Sequence, residues 1–304
     1  MTGVLFRGLF DRLVDQALSQ NDDLAPLRIV VEKELLHHDI MRALSDSGML
    51  EKLCFIGGTC LRACYGSNRM SEDLDFTGGA DFDRADLAQL KPVLTTRLET
   101  KYGLEVTVSE PQKEFGAVDT WKLKVQTRAG ARNLPAQRIN IDVCAIPSYM
   151  SQPKVLLNPY GVDMGTHGLI LNAEALEEIY ADKVLAFALR RGRIKSRDLW
   201  DLLWLKQQGV EPALELLPAK LRDHKVAVEV FLEKAGGRAE SLVQGEQTKK
   251  DFRNEMRRFL PATLVASTVN DDRFWDYLAS EIPFLIRRVE MSLSRGPSDA
   301  LFPT

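Results

Sequence analysis

The stretch that decides the fold runs Phe55-Ile56-Gly57-Gly58-Thr59-Cys60-Leu61-Arg62-Ala63-Cys64-Tyr65-Gly66-Ser67-Asn68-Arg69-Met70-Ser71-Glu72-Asp73-Leu74-Asp75-Phe76. A short apolar strand, Leu53 to Ile56, leads into Gly57-Gly58-Thr59 and a short helix, Thr59 to Tyr65; a second strand is centred on Leu74 to Phe76. Glycine lets a phosphate approach the backbone, and a helix N-terminus supplies unpaired N–H donors in a favourable dipole. Thr59 is placed to cap that helix or to donate to a phosphate oxygen. Fifteen residues after Gly58 come Asp73 and Asp75. Strand alternation puts both carboxylates on one face, ~6–7 Å apart along the chain. Like charges that close repel unless a cation lies between them, and oxygen-rich, partly hydrated sites suit Mg²⁺ or Mn²⁺.

Each half of the stretch has a plainer reading: Gly-Gly-Thr as a turn, Asp-x-Asp as a solvated loop or an Asx-turn. Their conjunction, in this order and flanked by Phe76, points instead to phosphoryl chemistry. Working outward, residues 81–102 read as a helix with Asp81 or Asp83 as N-cap. Three alternating strands follow: Leu104 to Val108; Trp121, Leu123, Val125 and Thr127 set against Lys122, Lys124, Gln126 and Arg128; and Ile139, Ile141 and Val143 set against Asn140, Asp142 and Cys144. Such patterning predicts a sheet with one face on a core and the other toward solvent or a cleft. Asp142 falls on the polar side, as a third metal ligand or as an ordinary edge-strand carboxylate. A carboxylate trio beside a glycine loop suits two-metal transfer: one ion lowers the pKa of an attacking hydroxyl and the other stabilises leaving pyrophosphate.

Residues 4–20 and 24–46 read as helices, the second with Leu27, Val30, Val31, Glu34, Leu35, His38, Ile40 and Met41 at helical period. Of the adjacent His37 and His38, one is expected in the core and one exposed. Past Pro153 a connector, Asn158-Pro159-Tyr160-Gly161, leads to helical patterning from Ala173 to about Ser294. The expectation is an α+β chain: a mixed-sheet core with N-terminal helices over 1–170 and a helical domain over 171–304, with the active cleft between them. Trp200 and Trp204, at i,i+4, belong to a helical core rather than a base-stacking platform. Arg190 to Arg197 holds five basic residues in eight, either a solvated loop or a grip on triphosphate or RNA. Lys249, Lys250, Arg253, Arg257 and Arg258, interleaved with Asp251 and Glu255, make a salt-bridged surface or an RNA contact.

Hydrophobic residues at 45% and charged residues at 27% exclude wholesale disorder. Forty basic against 43 acidic residues leave a formal charge of −3, so nucleic-acid contact needs a local basic patch. No apolar run approaches the ~18–20 residues of a membrane span. The opening MTGVLFRGLFDRLVDQ reads as an amphipathic helix, not a secretory leader. Cys54, Cys60, Cys64 and Cys144 show no Cys-x-x-Cys spacing and read as free thiols of a cytoplasmic protein. Ser71 has no His or Asp at motif distance, which argues against a hydrolytic nucleophile.

The quoted stretch resembles the active-site signature of the DNA polymerase β-like nucleotidyltransferase superfamily, hG[GS]…[DE]h[DE]. More narrowly, Gly57-Gly58-Thr59-x-Leu61-Arg62 followed by Arg69-x-Ser71-x-Asp73-x-Asp75-Phe76 resembles the AbiEii family, nucleotidyltransferase-like toxins of type IV toxin–antitoxin and phage-defence systems. A second match lies in Ile179 to Arg190 and Lys195-Ser196-Arg197-Asp198-Leu199-Trp200-Asp201, where the family has a helix lysine, a basic loop and Arg-Asp-hydrophobic-x-Asp-Leu. The resemblance covers roughly residues 30–205.

The resemblance implies metal-dependent transfer of a nucleoside monophosphate from an NTP to an acceptor hydroxyl. The 3′ end of tRNA is the first acceptor it suggests. A protein side chain or a small molecule such as an aminoglycoside is the alternative, and a nucleotide-binding module without turnover is the non-enzymatic one. By position, Gly57, Gly58 and Thr59 would bind phosphate, and Asp73 and Asp75, with Asp142, would hold Mg²⁺ or Mn²⁺. Arg69 and Ser71 would position the nucleotide, Lys183 would neutralise developing phosphate charge, and Asp198 would orient the acceptor or the lysine. An AbiEi-type antitoxin is the implied partner.

Overall fold

In the computed structural model, which describes residues 3–112, 118–128 and 135–294, the alternating segments pair into one seven-stranded mixed sheet. Its strands are β1 (Cys54–Ile56), β2 (Leu74–Thr77), β3 (Glu105–Ser109), β4 (Val118–Gln126), β5 (Gln137–Cys144), β6 (Ser151–Val155) and β7 (Ile170–Glu174), in the order β3-β4-β5-β2-β1-β7-β6. β2 runs antiparallel to β1 and parallel to β5, and β1 runs parallel to β7. The period-two residues do what alternation requires. Leu74, Phe76, Trp121, Leu123, Val125, Ile139 and Ile141 are buried, and the Phe55 and Phe76 rings pack at 5.1 Å. Burying each such side chain contributes ~1.5–3 kcal/mol. Asp75, Thr120, Lys122, Lys124, Arg138, Asn140 and Asp142 take the alternate positions and stay half-buried or exposed.

Four helices accompany the sheet: α1 (Gly3–Ser19), α2 (Arg28–Asp46), α3 (Gly57–Tyr65) and α4 (Leu90–Tyr102). α1, α2 and α4 pack on one another, α2 also touches β5, and α3 lies against β1 and β2. The remaining helices are α5 (Leu176–Leu189), α6 (Ser196–Gln207), α7 (Leu217–Asp223), α8 (Val228–Gln244), α9 (Glu246–Met256), the short α10 (Ala262–Leu264) and α11 (Asp272–Ser294). The fold class is α+β. No helix among the described residues is long and apolar enough to cross a membrane.

The chain forms two compact units, residues 1–174 with 259–262, and residues 175–258 with 263–304. Within the first unit the Met70 N–H donates to the Phe259 carbonyl at 2.8 Å. In the second unit α5 packs on α6 and α8, and α11 packs on α8 and α6. Trp200 and Trp204 are buried there, Trp200 against Phe274 at 5.5 Å.

Several local expectations change. The helix expected over 24–46 is a 3₁₀ turn, Asp22–Leu27, that contains Pro26, followed by α2. The helix expected over 81–102 splits likewise: Asp83, not Asp81, caps a 3₁₀ turn, Arg84–Leu87, with a reciprocal bond from Asp86, before α4 begins. The segment after Pro153 is not only connector. β6 tolerates Pro153 because it is the edge strand, and helix begins at Leu176 rather than Ala173 because Ala173 pairs with Phe55 in β7. His37 and His38 are both buried: His37 Nε2 lies 3.0 Å from the Glu72 carbonyl and His38 Nδ1 lies 2.8 Å from Thr166 Oγ1. Polar partners from distant loops allow both rings inside.

Candidate active site

β1 delivers Gly57 and Gly58 directly into α3, whose first residue is Gly57. Gly57 has φ +76°, a conformation that a side chain strains, and a Cβ there would sit 2.9 Å from Asp75 Oδ2. The helix start and the second carboxylate of the Asp-x-Asp pair therefore adjoin. A Cβ on Gly58 would fall 2.0 Å from a terminal nitrogen of Arg69, so that guanidinium lies against the glycine backbone. Arg69 is buried, and its Nη1 donates to the Met70 carbonyl at 3.2 Å.

Because α3 starts at Gly57, Thr59 is its third residue and does not cap it. Thr59 is buried, with its hydroxyl 2.6 Å from Ser71 Oγ and donating to the Asp73 carbonyl. Thr59, Arg69 and Ser71 thus brace the backbone on which Asp73 and Gly58 sit. Asp73 Oδ1 accepts the Asn140 N–H at 2.9 Å, which ties β2 to β5 at the carboxylate itself.

Asp142 stands in register with Asp75 across the parallel β2–β5 pair, and with Thr120 across β4. Its pKa is raised, by burial first and by the neighbouring Asp73, against a lowering bond from Thr120 and the charge of Lys122. Asp142 Oδ1 is buried and has no hydrogen-bond partner among the described residues. A buried carboxylate oxygen with nothing to accept from suits a cation or a proton. Among the described residues no three His, Cys, Asp or Glu side chains already converge as a metal cage. Mg²⁺ does not require one, since it binds through one or two carboxylates plus waters and substrate phosphates. The all-oxygen set of Asp73, Asp75 and Asp142 fits such an ion.

Beyond Asp142 the same face carries Lys122 and Lys124 on β4 and Arg138 on β5, all exposed, with Lys122 opposite Asn140 and Lys124 opposite Arg138. This strip of cations was not singled out from the sequence, although the alternation of β4 placed its lysines on the polar side.

Lys183 and Asp198 lie in the second unit. Lys183 is buried on α5, its Nζ 2.7 Å from Asp201 and 3.1 Å from Asp198 on α6; Arg190 Nε lies 3.0 Å from Asp198. Asp198 sits in the first turn of α6 without capping it. Much of the basic loop is ion-paired: Arg193 with Asp251 at 3.3 Å and Arg197 with Glu255 at 3.4 Å. The basic stripe of α9 pairs too, Lys249 and Arg253 both meeting Asp272.

The family model described as nucleotidyl transferase AbiEii toxin of a type IV toxin–antitoxin system matches residues 39–280. The chain belongs to the AbiEii family. As an AbiEii protein it is a nucleotidyltransferase, the toxin half of a toxin–antitoxin pair. Two structures from Helicobacter pylori are similar to it. JHP933 is 17% identical with a TM-score of 0.46, over 88% of this chain and 97% of that one. A protein described there as a candidate nucleotidyltransferase is 16% identical with a TM-score of 0.47, over 88% and 96%. No curated protein matches. In this AbiEii chain the acidic motif is gripped by α2, most of whose contacting residues lie before the matched segment. Sequence reading missed that grip, and its one signal was a glutamate, Glu34, at an apolar position.

Proposed function

We propose that this AbiEii protein transfers a nucleoside monophosphate from an NTP to the 3′-hydroxyl of tRNA, with a divalent cation, and so blocks translation as a phage-defence toxin. The observation that carries the reading is the register pairing of Asp75 with Asp142 beside Gly57, with one Asp142 oxygen buried and unpartnered. In the reaction the acceptor oxygen bonds to the α-phosphorus as the bond to the bridging oxygen breaks, and pyrophosphate leaves. The α3 N-terminus and the Gly57-Gly58 backbone would receive phosphate oxygens. Asp73, Asp75 and Asp142 would hold Mg²⁺ or Mn²⁺, which supplies charge neutralisation on the phosphates. The hydroxyl proton would leave to solvent as the acceptor oxygen attacks, the three carboxylates being engaged in holding the ion. Thr59, Ser71 and Arg69 keep the loop in place. Lys183 and Asp198 are assigned to the reaction on the family pattern, as a charge for phosphate and its orienting acid. The exposed strip Lys122, Lys124 and Arg138 favours a polyanionic acceptor, because such cations bind nucleic-acid phosphates by releasing counterions.

The test is incubation with total cellular RNA, Mg²⁺ and each α-³²P-labelled NTP in turn. Label should enter a tRNA-sized band and vanish with Asp73→Ala plus Asp75→Ala. Label that persists in the double variant overturns the site, and label in protein or small-molecule fractions alone overturns the acceptor.

A further inference from the structure

Helix α2 carries three acids among its buried residues: Glu32, Glu34 and Asp39. Two of them hold the scaffold. Glu32 accepts from Arg128 and Gln137, and Asp39 from Lys101 and Tyr102. Glu34 differs, because two of its partners, Ser71 and Arg62, belong to the motif. Its Oε1 accepts the Ser71 backbone N–H at 2.9 Å, and its Oε2 accepts Arg62 Nε at 3.1 Å and the Tyr160 hydroxyl. Arg62 in turn donates to the Ser67 carbonyl at 3.0 Å. Both ends of the 67–71 loop are therefore tied to one buried carboxylate. Two neighbours on the same helix reinforce the grip: Lys33 meets the Glu72 carboxylate at 2.8 Å, and His37 meets the Glu72 carbonyl. Lys33, Glu34 and His37 all precede the segment matched by the family model.

We propose that Glu34 is a positioning residue of the transferase site, setting the backbone path that carries Asp73. The inference rests on the reading that Asp73 and Asp75 are the working carboxylates. The physical route is short. Ser71 is held from one side by Glu34 through its N–H and from the other by Thr59 through its hydroxyl, and the Thr59 hydroxyl also holds the Asp73 carbonyl. Without Glu34, the Ser71 N–H and the Arg62 guanidinium lose a charged acceptor inside the protein, and the loop has reason to move toward other partners. The Asp73 carboxylate, two residues on, moves with it.

The experiment compares Glu34→Ala, Glu34→Gln and Tyr160→Phe with Asp39→Asn, a buried acid on the same helix whose partners lie outside the motif. Three readouts are taken well below the melting temperature of each variant: hydrogen exchange of peptides spanning 67–75, Mn²⁺ affinity by electron paramagnetic resonance with a non-hydrolysable NTP, and steady-state transfer. Glu34→Ala should speed exchange at Ser71 and weaken Mn²⁺ binding by about tenfold or more, the scale of one lost charge-assisted bond. Glu34→Gln, which keeps an oxygen for the Ser71 N–H, should recover most of both. Asp39→Asn should leave all three unchanged.

If Glu34→Ala does not fold, Glu34→Gln and Tyr160→Phe carry the test, with smaller shifts expected in the same readouts. Exchange, Mn²⁺ affinity and transfer that stay at wild-type values in the folded Glu34 variants overturn the proposal, and so does equal impairment by Asp39→Asn. Transfer that survives Asp73→Ala plus Asp75→Ala instead overturns the reading of the site, which separates the two failures.

Discussion

Replacing Lys183 separates its chemistry from its structural load. Its ammonium lies between Asp201, which is 0% exposed, and Asp198, which is 3% exposed. Lys183→Met removes the cation and leaves Asp201 to face the helix core with its charge uncompensated by lysine, while Asp198 keeps Arg190 at 3.0 Å. Breaking a buried pair costs ~3–5 kcal/mol, and the surviving arginine argues for the lower end, about 3 kcal/mol. Adding Asp201→Asn removes the charge that has lost its lysine and should restore about 2 kcal/mol of that loss.

Urea unfolding followed by tryptophan fluorescence reads the relevant unit, since Trp200, Trp204 and Trp275 lie in it and only Trp121 lies in the other. Lys183→Met that unfolds within about 0.5 kcal/mol of wild type refutes the reasoning, because such a small change is that of an ordinary surface site. The repaired double variant then isolates function. It should be stable and still inactive if the ammonium meets phosphate. Transfer that returns with stability would assign Lys183 to structure alone.

Gly57→Ala should lower transfer at least tenfold and lower the melting temperature by roughly 2–8 °C: the left-handed backbone costs an L-residue ~1–2 kcal/mol, and its methyl would press on the Asp75 carboxylate. In the metal-free protein the Asp142 carboxyl should titrate above the ordinary aspartate value, because burial and the nearby Asp73 raise its pKa, as read by NMR of the side-chain carboxyl carbon. Thr120→Val deletes the bond that lowers this pKa, so the metal-free titration should move to higher pH; a midpoint that stays put or moves down contradicts the assignment. The linked effect on stability follows the same titration, the neutral carboxyl favouring the folded state at low pH and that advantage fading as pH rises through the raised pKa. Lys122→Gln with Lys124→Gln should raise the tRNA KM and flatten its salt dependence by a slope of roughly 1.5, leaving the NTP KM unmoved.

The acidic motif was legible because its chemistry is local. Strand, paired glycines, helix, then Asp-x-Asp is a sequence of short-range instructions, and alternation alone assigned Asp73, Asp75 and Asp142 to the polar side. The same logic found β3, β4 and β5, whose buried residues alternate cleanly. It passed over β6 and β7, where Pro153 and a short run disguise an edge strand and its partner. It split His37 from His38 because helical period separates them, and only distant partners, Glu72 and Thr166, explain why both are inside.

Sequence by itself determined the family and picked out the paired glycines and the carboxylate pair, since each depends on residues within one strand–turn–helix unit. Tertiary structure decided the rest. Periodicity says which face a side chain takes but not which strand lies beside it, so the match of Asp142 to Asp75 needed the β2–β5 register. Phe259 joins the first unit, where its carbonyl accepts the Met70 N–H from a residue nearly two hundred positions earlier, a pairing that local pattern does not encode. Glu34 sat at an apolar position as an anomaly until its three partners, from Arg62 to Tyr160, were brought around it by the fold. A buried charge is stable only where such partners converge, and convergence belongs to three dimensions.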